Sequence, residues 1–91
     1  MRFEWDEKKR RENLRKHRLD FRDAPEVFLG ETATNVDERY DYGETRYYTL
    51  GMLQGVVVAI SHTEKDDLVR IISFRSAERH EQEIYFKTVR D

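Results

Sequence analysis

Cysteine is absent from this 91-residue chain, and proline occurs once, at Pro25. Without cysteine there are no disulfides, thiolate metal sites or cysteine nucleophiles, which fits a protein of the reducing cytoplasm. The longest apolar run, from Val56 to Ile60, is far too short to cross a bilayer. The N-terminal MRFEWDEKKRR has no apolar stretch behind its charges, so we expect neither a secretory signal nor a membrane anchor.

Charged residues are abundant, at 40% of the chain against 37% hydrophobic residues. A chain of this length and composition has a thin core, and we expect residues 1–91 to form a single domain. The net charge of −2 is unevenly distributed, because residues 8–18 hold seven Lys or Arg against the single Glu12. Phosphate binding through bulk charge could therefore only be local.

Hydrophobic periodicity and capping residues predict the order β-α-α-β-β-β-β-α. The predicted strands cover 2–5, 31–36, 45–51, 56–62 and 68–75. The predicted helices cover 7–17, a segment that Asp23 caps and Gly30 ends, and 77–89 after a cap at Ser76. Short connections between successive strands favour an antiparallel meander. We therefore predict an α+β domain, an antiparallel β-meander with two N-terminal helices and one C-terminal helix.

Signatures of metal and nucleotide enzymes are missing. The stretch HEQEI at 80–84 begins like a zinc-binding helix, but Ile84 stands where the second ligand would be. The three histidines, His17, His62 and His80, are scattered along the chain. There is no P-loop, no glycine-rich nucleotide loop and no G-x-S-x-G motif. We predict no metal and no cofactor.

The remaining candidates for catalytic residues are arginines, together with a few histidines, glutamates and tyrosines. Such a set suits RNA cleavage without a metal, in which a 2′-OH attacks its neighbouring phosphate. That reaction needs a base, an acid for the leaving oxygen, and cations for the developing negative charge. Arginine suits the last task because it is always ionised and its fork matches phosphate oxygens.

The last strand carries Arg70 and Arg75 at either end of its apolar run. Their odd spacing puts them on opposite faces of an ideal strand, so they reach one site only if the strand twists or ends before Arg75. The alternative is that both are rim residues paired with surface carboxylates. His62, at a strand end, is a candidate for proton transfer or a structural histidine. Glu78 and Tyr85 lie two turns apart on the last helix, as a catalytic pair or as a solvated face with a half-buried tyrosine.

Two further stretches combine features of RNA-binding surfaces. The segment from Lys8 to Arg18 is the one strongly cationic run, and is either a surface that follows phosphates or a solvated helix. The stretch RYDYGETRYY at 39–48 mixes arginine with tyrosine, as surfaces that stack nucleobases do. Tyrosine is also a common strand residue, so here we single out only Arg46.

Most of the chain resembles the BrnT family of toxins from type II toxin–antitoxin systems. The resemblance rests on FEWDEKKRRENLRKH, DERYDYGETRYYTLG, VVVAISHTE and RIISFRSAERHEQEIY. It implies a RelE-like fold and a ribonuclease that stops translation by cutting RNA. It also implies a cognate ribbon-helix-helix antitoxin that sequesters the toxin in a hetero-oligomer of 2:2 stoichiometry. That antitoxin represses the shared operon, so the toxin contacts DNA only through it.

Two positions depart from the family pattern. Arg18 stands where the family usually has glycine after a Lys-His pair, which implies backbone strain if that position needs a positive φ. Phe74 stands where the family commonly has alanine, which implies a narrower pocket or one lined by a stacking ring.

These observations lead to one hypothesis, a metal-independent endoribonuclease with its site on the exposed face of the sheet, closed by the last helix. Arg70 and Arg75 would hold the scissile phosphate, His62 and Glu78 would transfer protons, and Tyr85 would stack or donate a hydrogen bond. The candidate RNA-binding residues are Lys8, Lys16, His17, Arg46 and Arg79. The alternative is a non-catalytic RNA- or protein-binding module that acts through its arginine cluster.

Overall fold

A computed structural model describes residues 1–90, which form five strands and three helices in the predicted order. The strands are β1 (Arg2–Trp5), β2 (Ala33–Val36), β3 (Tyr47–Leu53), β4 (Val56–Lys65) and β5 (Leu68–Ser76). The helices are α1 (Glu7–His17), α2 (Ala24–Leu29), which follows a 3-10 turn at Phe21–Asp23, and α3 (Arg79–Arg90). No helix within residues 1–90 is long and apolar enough to cross a membrane.

The five strands form one mixed sheet in the order β1-β5-β4-β3-β2. Strands β2 to β5 pair antiparallel with their neighbours in the chain, whereas β1 pairs parallel with β5. The prediction of an antiparallel meander is therefore not confirmed for the whole sheet. The difference lies in β1, because helices α1 and α2 bring the chain back to the far side of the sheet before β2 begins.

A β-bulge interrupts the pairing of β4 with β5. Ser61 lies opposite Ser73 and His62 lies opposite Ile71, so Ile72 is an extra residue on β5. An extra residue shifts the alternation of side chains by one position. Arg70 and Arg75 therefore lie on the same face of the sheet, and the inference from their odd spacing, that they lie on opposite faces, is wrong.

The two faces of the sheet carry separate apolar clusters. The first face packs against the segment from Phe21 to Leu29, and its buried strand residues include Ile60, Ile71 and Phe74. The second face packs against α3 through Leu50, Ala59 and Tyr85 with their neighbours. Helix α3 contacts β2 and β3, so the part of the second face near β5 is left to polar side chains.

The first helix is held by polar contacts rather than by an apolar stripe, since its buried residues are Arg10 and Asn13. Strand β1 ends opposite Ile71, and within residues 1–90 no strand pairs with the edge of β5 beyond that point. There the side chain of Asn13 accepts from the Phe74 N–H at 3.1 Å and donates to the Phe74 carbonyl at 2.8 Å. One amide thus satisfies backbone groups that the edge would otherwise leave unpaired.

The start of α3 differs from the predicted one. Ser76 is the last residue of β5, and the helix begins at Arg79, two residues after the predicted start. Glu78 occupies the cap position, and its N–H donates to the carboxylate of Glu81 at 2.8 Å. This is the returning half of a capping box, in which the third helical residue accepts from the cap.

Candidate functional site

A cavity of about 450 Å³ opens on the second face of the sheet, between the first turn of α3 and the segment that follows β2. Tyr48 and Ser61, a cross-strand pair of β3 and β4, belong to its lining. The remaining lining residues are Val36, Asp37, Glu38, Arg39, Arg75, His80 and Glu81. Strand β5 contributes Arg75 because the bulge turns this residue to the second face.

Arg75 is fixed in the cavity by Glu81. Its Nη1 and Nη2 donate to the two carboxylate oxygens at 2.7 and 3.0 Å. Glu81 is only 8% exposed, so most of the pair's contact with solvent is made by Arg75. The pKa of Glu81 is lowered, mainly by the hydrogen bond from Arg75, and the pKa of Arg75 is raised by the same bond. A bidentate pair of this kind sets the direction of the arginine as well as its charge.

Arg39 occupies the opposite wall of the cavity. Its Nε and Nη2 both donate at 3.0 Å to the carboxylate of Asp37, which is 7% exposed. Asp37 also accepts from the Tyr42 hydroxyl at 3.2 Å. The pKa of Asp37 falls from 3.8 to about 2, first because of the side-chain hydrogen bond from Arg39. No sequence pattern singled out Arg39, because its partner lies two residues away in a segment without regular structure.

His80 lines the cavity beside Arg75, and sequence reasoning did not select it as a site residue. Its Nδ1 lies 3.7 Å from the carboxylate of Glu78, and both side chains are exposed. The signal that could have found it is position, since His80 is in the first turn of a helix that starts beside the arginine strand. Of the predicted catalytic residues, Arg75 lines the cavity, and the charge of Glu78 contributes to the raised pKa of Arg75.

A smaller cavity, of about 210 Å³, lies at the edge of β5 on the other side of the Ser61–Ser73 pair. Lys16, His17 and Ser73 belong to its lining. The pKa of His17 is lowered by burial first, and then by the positive charges of Lys16 and Arg75. The imidazole of His17 is therefore biased towards its neutral form, which can accept a proton.

Arg70 lies on the same face as Arg75 but outside the cavity that Arg75 lines. Its Nη1 donates to Glu4 of the neighbouring β1 at 3.1 Å. The two arginines pair with Thr63 and Ala59 of β4, four residues apart, which corresponds to roughly 13 Å along the strand. Each is tied to its own carboxylate, so the structure does not bring them to one phosphate.

His62 lies on the first face, away from the cavity, and its side chain is completely buried. Its ring packs edge-on to Phe28 and stacks on Tyr47, with centroids 5.3 and 5.8 Å apart. Its Nε2 bonds Thr49 Oγ1 at 2.7 Å, and within residues 1–90 its Nδ1 has no hydrogen-bond partner. Burial lowers the pKa of His62 to about 4. The geometry is that of a core histidine.

The other predicted residues are dispersed. Tyr85 is a buried residue of α3, and its hydroxyl donates to the Glu31 carbonyl at 3.1 Å. Arg46 lies 4.0 Å above the ring of Tyr42, on the loop that carries Arg39. Lys8 and Arg79 are exposed in the first turns of α1 and α3. Residues 1–90 contain no group of three or more His, Cys, Asp or Glu side chains placed to hold a metal ion.

Comparison with known proteins identifies the family. The family model described as "Ribonuclease toxin, BrnT, of type II toxin-antitoxin system" matches residues 5–81. This range contains β2 to β5, α1, α2, the last residue of β1 and the first turn of α3, and so includes every residue that lines the cavity around Arg75. No curated protein matches the chain. The chain belongs to the BrnT family, the ribonuclease toxins of type II toxin–antitoxin systems.

Proposed function

We propose that the protein is a metal-independent endoribonuclease whose active site is the cavity around Arg75. The observation that carries this proposal is that Arg75 and His80 line one cavity and that two hydrogen bonds to the largely buried Glu81 fix the guanidinium of Arg75 there. The Nη edge of Arg75 is engaged by Glu81, which leaves its Nε–H available to a phosphate oxygen. Preorganised cations of this kind stabilise charge that develops in the transition state.

The proposed reaction needs only groups of this chain. A base takes the proton of the 2′-OH, the 2′-oxygen bonds to phosphorus, and the bond from phosphorus to the 5′-oxygen breaks. An acid returns a proton to that 5′-oxygen, so the products are a 2′,3′-cyclic phosphate and a 5′-hydroxyl. We assign the proton transfers to His80, oriented by Glu78, and to His17 of the smaller neighbouring cavity, whose pKa is lowered by burial first and then by the charges of Lys16 and Arg75.

The remaining predicted residues have supporting roles in this proposal. Arg70, with Lys16, would attract the RNA backbone along the polar part of the second face. Lys8, Arg46 and Arg79 would contribute charge at its margins. His62 and Tyr85 would keep structural roles, since both are buried.

At the level of the cell, we infer that RNA cleavage in the cytoplasm stops translation, and that the fold is RelE-like. We propose that a ribbon-helix-helix antitoxin neutralises the protein in a 2:2 complex, through which it contacts DNA indirectly. Family membership supports an antitoxin partner and an RNA substrate.

Incubation of the purified, partner-free protein with RNA in EDTA tests the proposal. We expect cleavage with 2′,3′-cyclic phosphate ends, and at least about a hundredfold loss of rate in Arg75→Ala, because one aimed donor is worth about that much. Arg22→Ala, which removes an exposed arginine outside the cavity, is the matched control and should cut normally. Intact RNA with retarded mobility would instead identify a binding module.

A further inference from the structure

The wall of the cavity opposite Arg75 contains a second fixed guanidinium, that of Arg39. Its side chain is 68% exposed, yet two hydrogen bonds hold it to the nearly buried Asp37. Asp37 is itself held by the Tyr42 hydroxyl, and Arg46 stacks on the Tyr42 ring. An exposed arginine usually pays rotamer entropy when it binds a ligand. Here the surrounding contacts have already ordered it.

Arg39 also has donors to spare. A guanidinium has five N–H donors, and Asp37 uses one on Nε and one on Nη2. Asp37 and Glu81 also line the cavity, but their side chains are only 4% and 10% exposed, against 68% for Arg39 and 30% for Arg75, so the cationic member of each pair is the more accessible one. The charge of Arg39 acts on Arg75 and opposes the rise in pKa that the Glu81 hydrogen bond causes. An anion between the two walls would relieve this repulsion.

We propose that Arg39 binds the phosphate adjacent to the scissile one, so that the substrate is single-stranded RNA with at least two successive phosphates in the site. This inference rests on the proposed function and specifies its substrate. Each arginine is tied to a carboxylate on its own wall, so the two do not converge on one phosphate. A cavity of about 450 Å³ has room for a nucleotide between them.

A scan with neutral phosphates tests this assignment. A short single-stranded RNA that the wild-type protein cuts once is prepared in versions that each replace one non-scissile phosphate by methylphosphonate. We expect one position whose neutralisation lowers wild-type kcat/KM about tenfold or more, as a lost charge-assisted hydrogen bond would. Arg39→Gln should lose this sensitivity at that position and at no other. Arg39→Lys, which keeps the charge but not the fork, should retain part of it.

Comparing modified and unmodified RNA within each variant cancels any difference in the folded fraction. Glu38→Gln is the matched control, because Glu38 lines the same wall with the opposite charge. It should lower KM for every RNA and leave the pattern of sensitive positions unchanged.

Three outcomes overturn the inference. If Arg39→Gln keeps the wild-type pattern of sensitivity, Arg39 contacts no flanking phosphate. If Arg39→Gln cuts every RNA like wild type but no longer binds the antitoxin, Arg39 belongs to the protein interface. If the wild-type protein cuts no RNA at all, the proposed function falls and the role of Arg39 falls with it. The first two results leave the nuclease itself intact.

Discussion

Glu81 has two tasks, because one carboxylate holds both Arg75 and the first turn of α3. Its two oxygens bind the guanidinium, and one of them also accepts from the Glu78 N–H. The orientation of the proposed phosphate-binding group therefore depends on correct capping of a helix. At the scale of single residues, these two contacts of Glu81 fix the position of Arg75 relative to the first turn of α3.

His62 predicts how stability depends on pH. The folded protein keeps its buried imidazole neutral, since burial lowers its pKa from 6.5 to about 4, whereas the unfolded chain protonates it near 6.5. The unfolded state therefore binds more protons between these values, so His62 contributes stability above pH 6.5 that is lost as the pH falls towards 4. We expect this contribution to reach about 3 kcal/mol. Urea unfolding of wild type and His62→Gln from pH 7.5 to 4 measures it.

The difference in unfolding free energy between wild type and His62→Gln should shrink as the solution is acidified. His80→Gln, which removes an exposed imidazole instead of a buried one, is the matched control for the loss of a histidine. A constant difference across this range would show that His62 is not the titrating group.

At the scale of elements, capping residues and hydrophobic periodicity were sufficient to predict a helix or strand whose defining contacts are local. Helix α1 covers the predicted residues 7–17, and its cap Asp6 accepts from the N–H groups of Lys8 and Lys9 at 2.8 and 3.1 Å. The bulge at Ile72 and the parallel pairing of β1 with β5 were not predicted. Both depend on contacts between distant parts of the chain, which neither propensity nor periodicity encodes.

Arg18 ends α1 in the left-handed conformation, with φ of 62° and ψ of 23°. A positive φ is the condition under which strain was expected at this residue, and the structure meets it. A residue with a side chain loses about 1–2 kcal/mol of stability in this conformation. Glycine avoids that loss, but it also loses more conformational entropy on folding, which offsets part of the gain. We expect Arg18→Gly to stabilise the fold by about 0.5–1 kcal/mol, or several degrees in Tm.

Thermal unfolding followed by circular dichroism measures this effect. Arg15→Gly, which changes an exposed residue inside the same helix, is the matched control and should destabilise by about 1 kcal/mol. Equal losses in both variants would contradict the idea that Arg18 is strained.

The cavity could not be foreseen from the sequence for a reason that applies to the whole molecule. Its walls come from β5, α3 and the segment after β2, which are brought together only by the final packing of α3 on the sheet. Arg75 was selected from the sequence as the arginine at the end of the last strand, where the final helix follows, and it does line the cavity. Arg39 and His80 were not selected from the sequence, because their proposed roles depend on the residues of the opposite wall of the cavity.

The overall charge of the protein predicts a weak response to salt. With a net charge of −2, nucleic-acid binding relies on a few aimed cations rather than on a basic surface. If about three phosphates are neutralised, log KM for single-stranded RNA should rise with log salt with a slope of about 2. Kinetics between 50 and 200 mM KCl, roughly the range over which such slopes are measured, would test this.

Lys16→Ala should reduce that slope by about 0.7, the share of one phosphate on a single strand. Lys87→Ala, at the other end of α3 from the cavity, is the control and should leave the slope unchanged. A slope above about 5 would point instead to an extended electrostatic footprint.

The pairing of β1 with β5 also governs when a growing chain can become active. Residues 2–5 find their partners only at 68–71, and Asn13 finds its own at Phe74. A nascent polypeptide thus carries β1 and α1 without these partners until residues 68–74 have left the ribosome. Arg75 and Glu81 emerge later still, so unfinished copies lack the groups that we propose cut RNA.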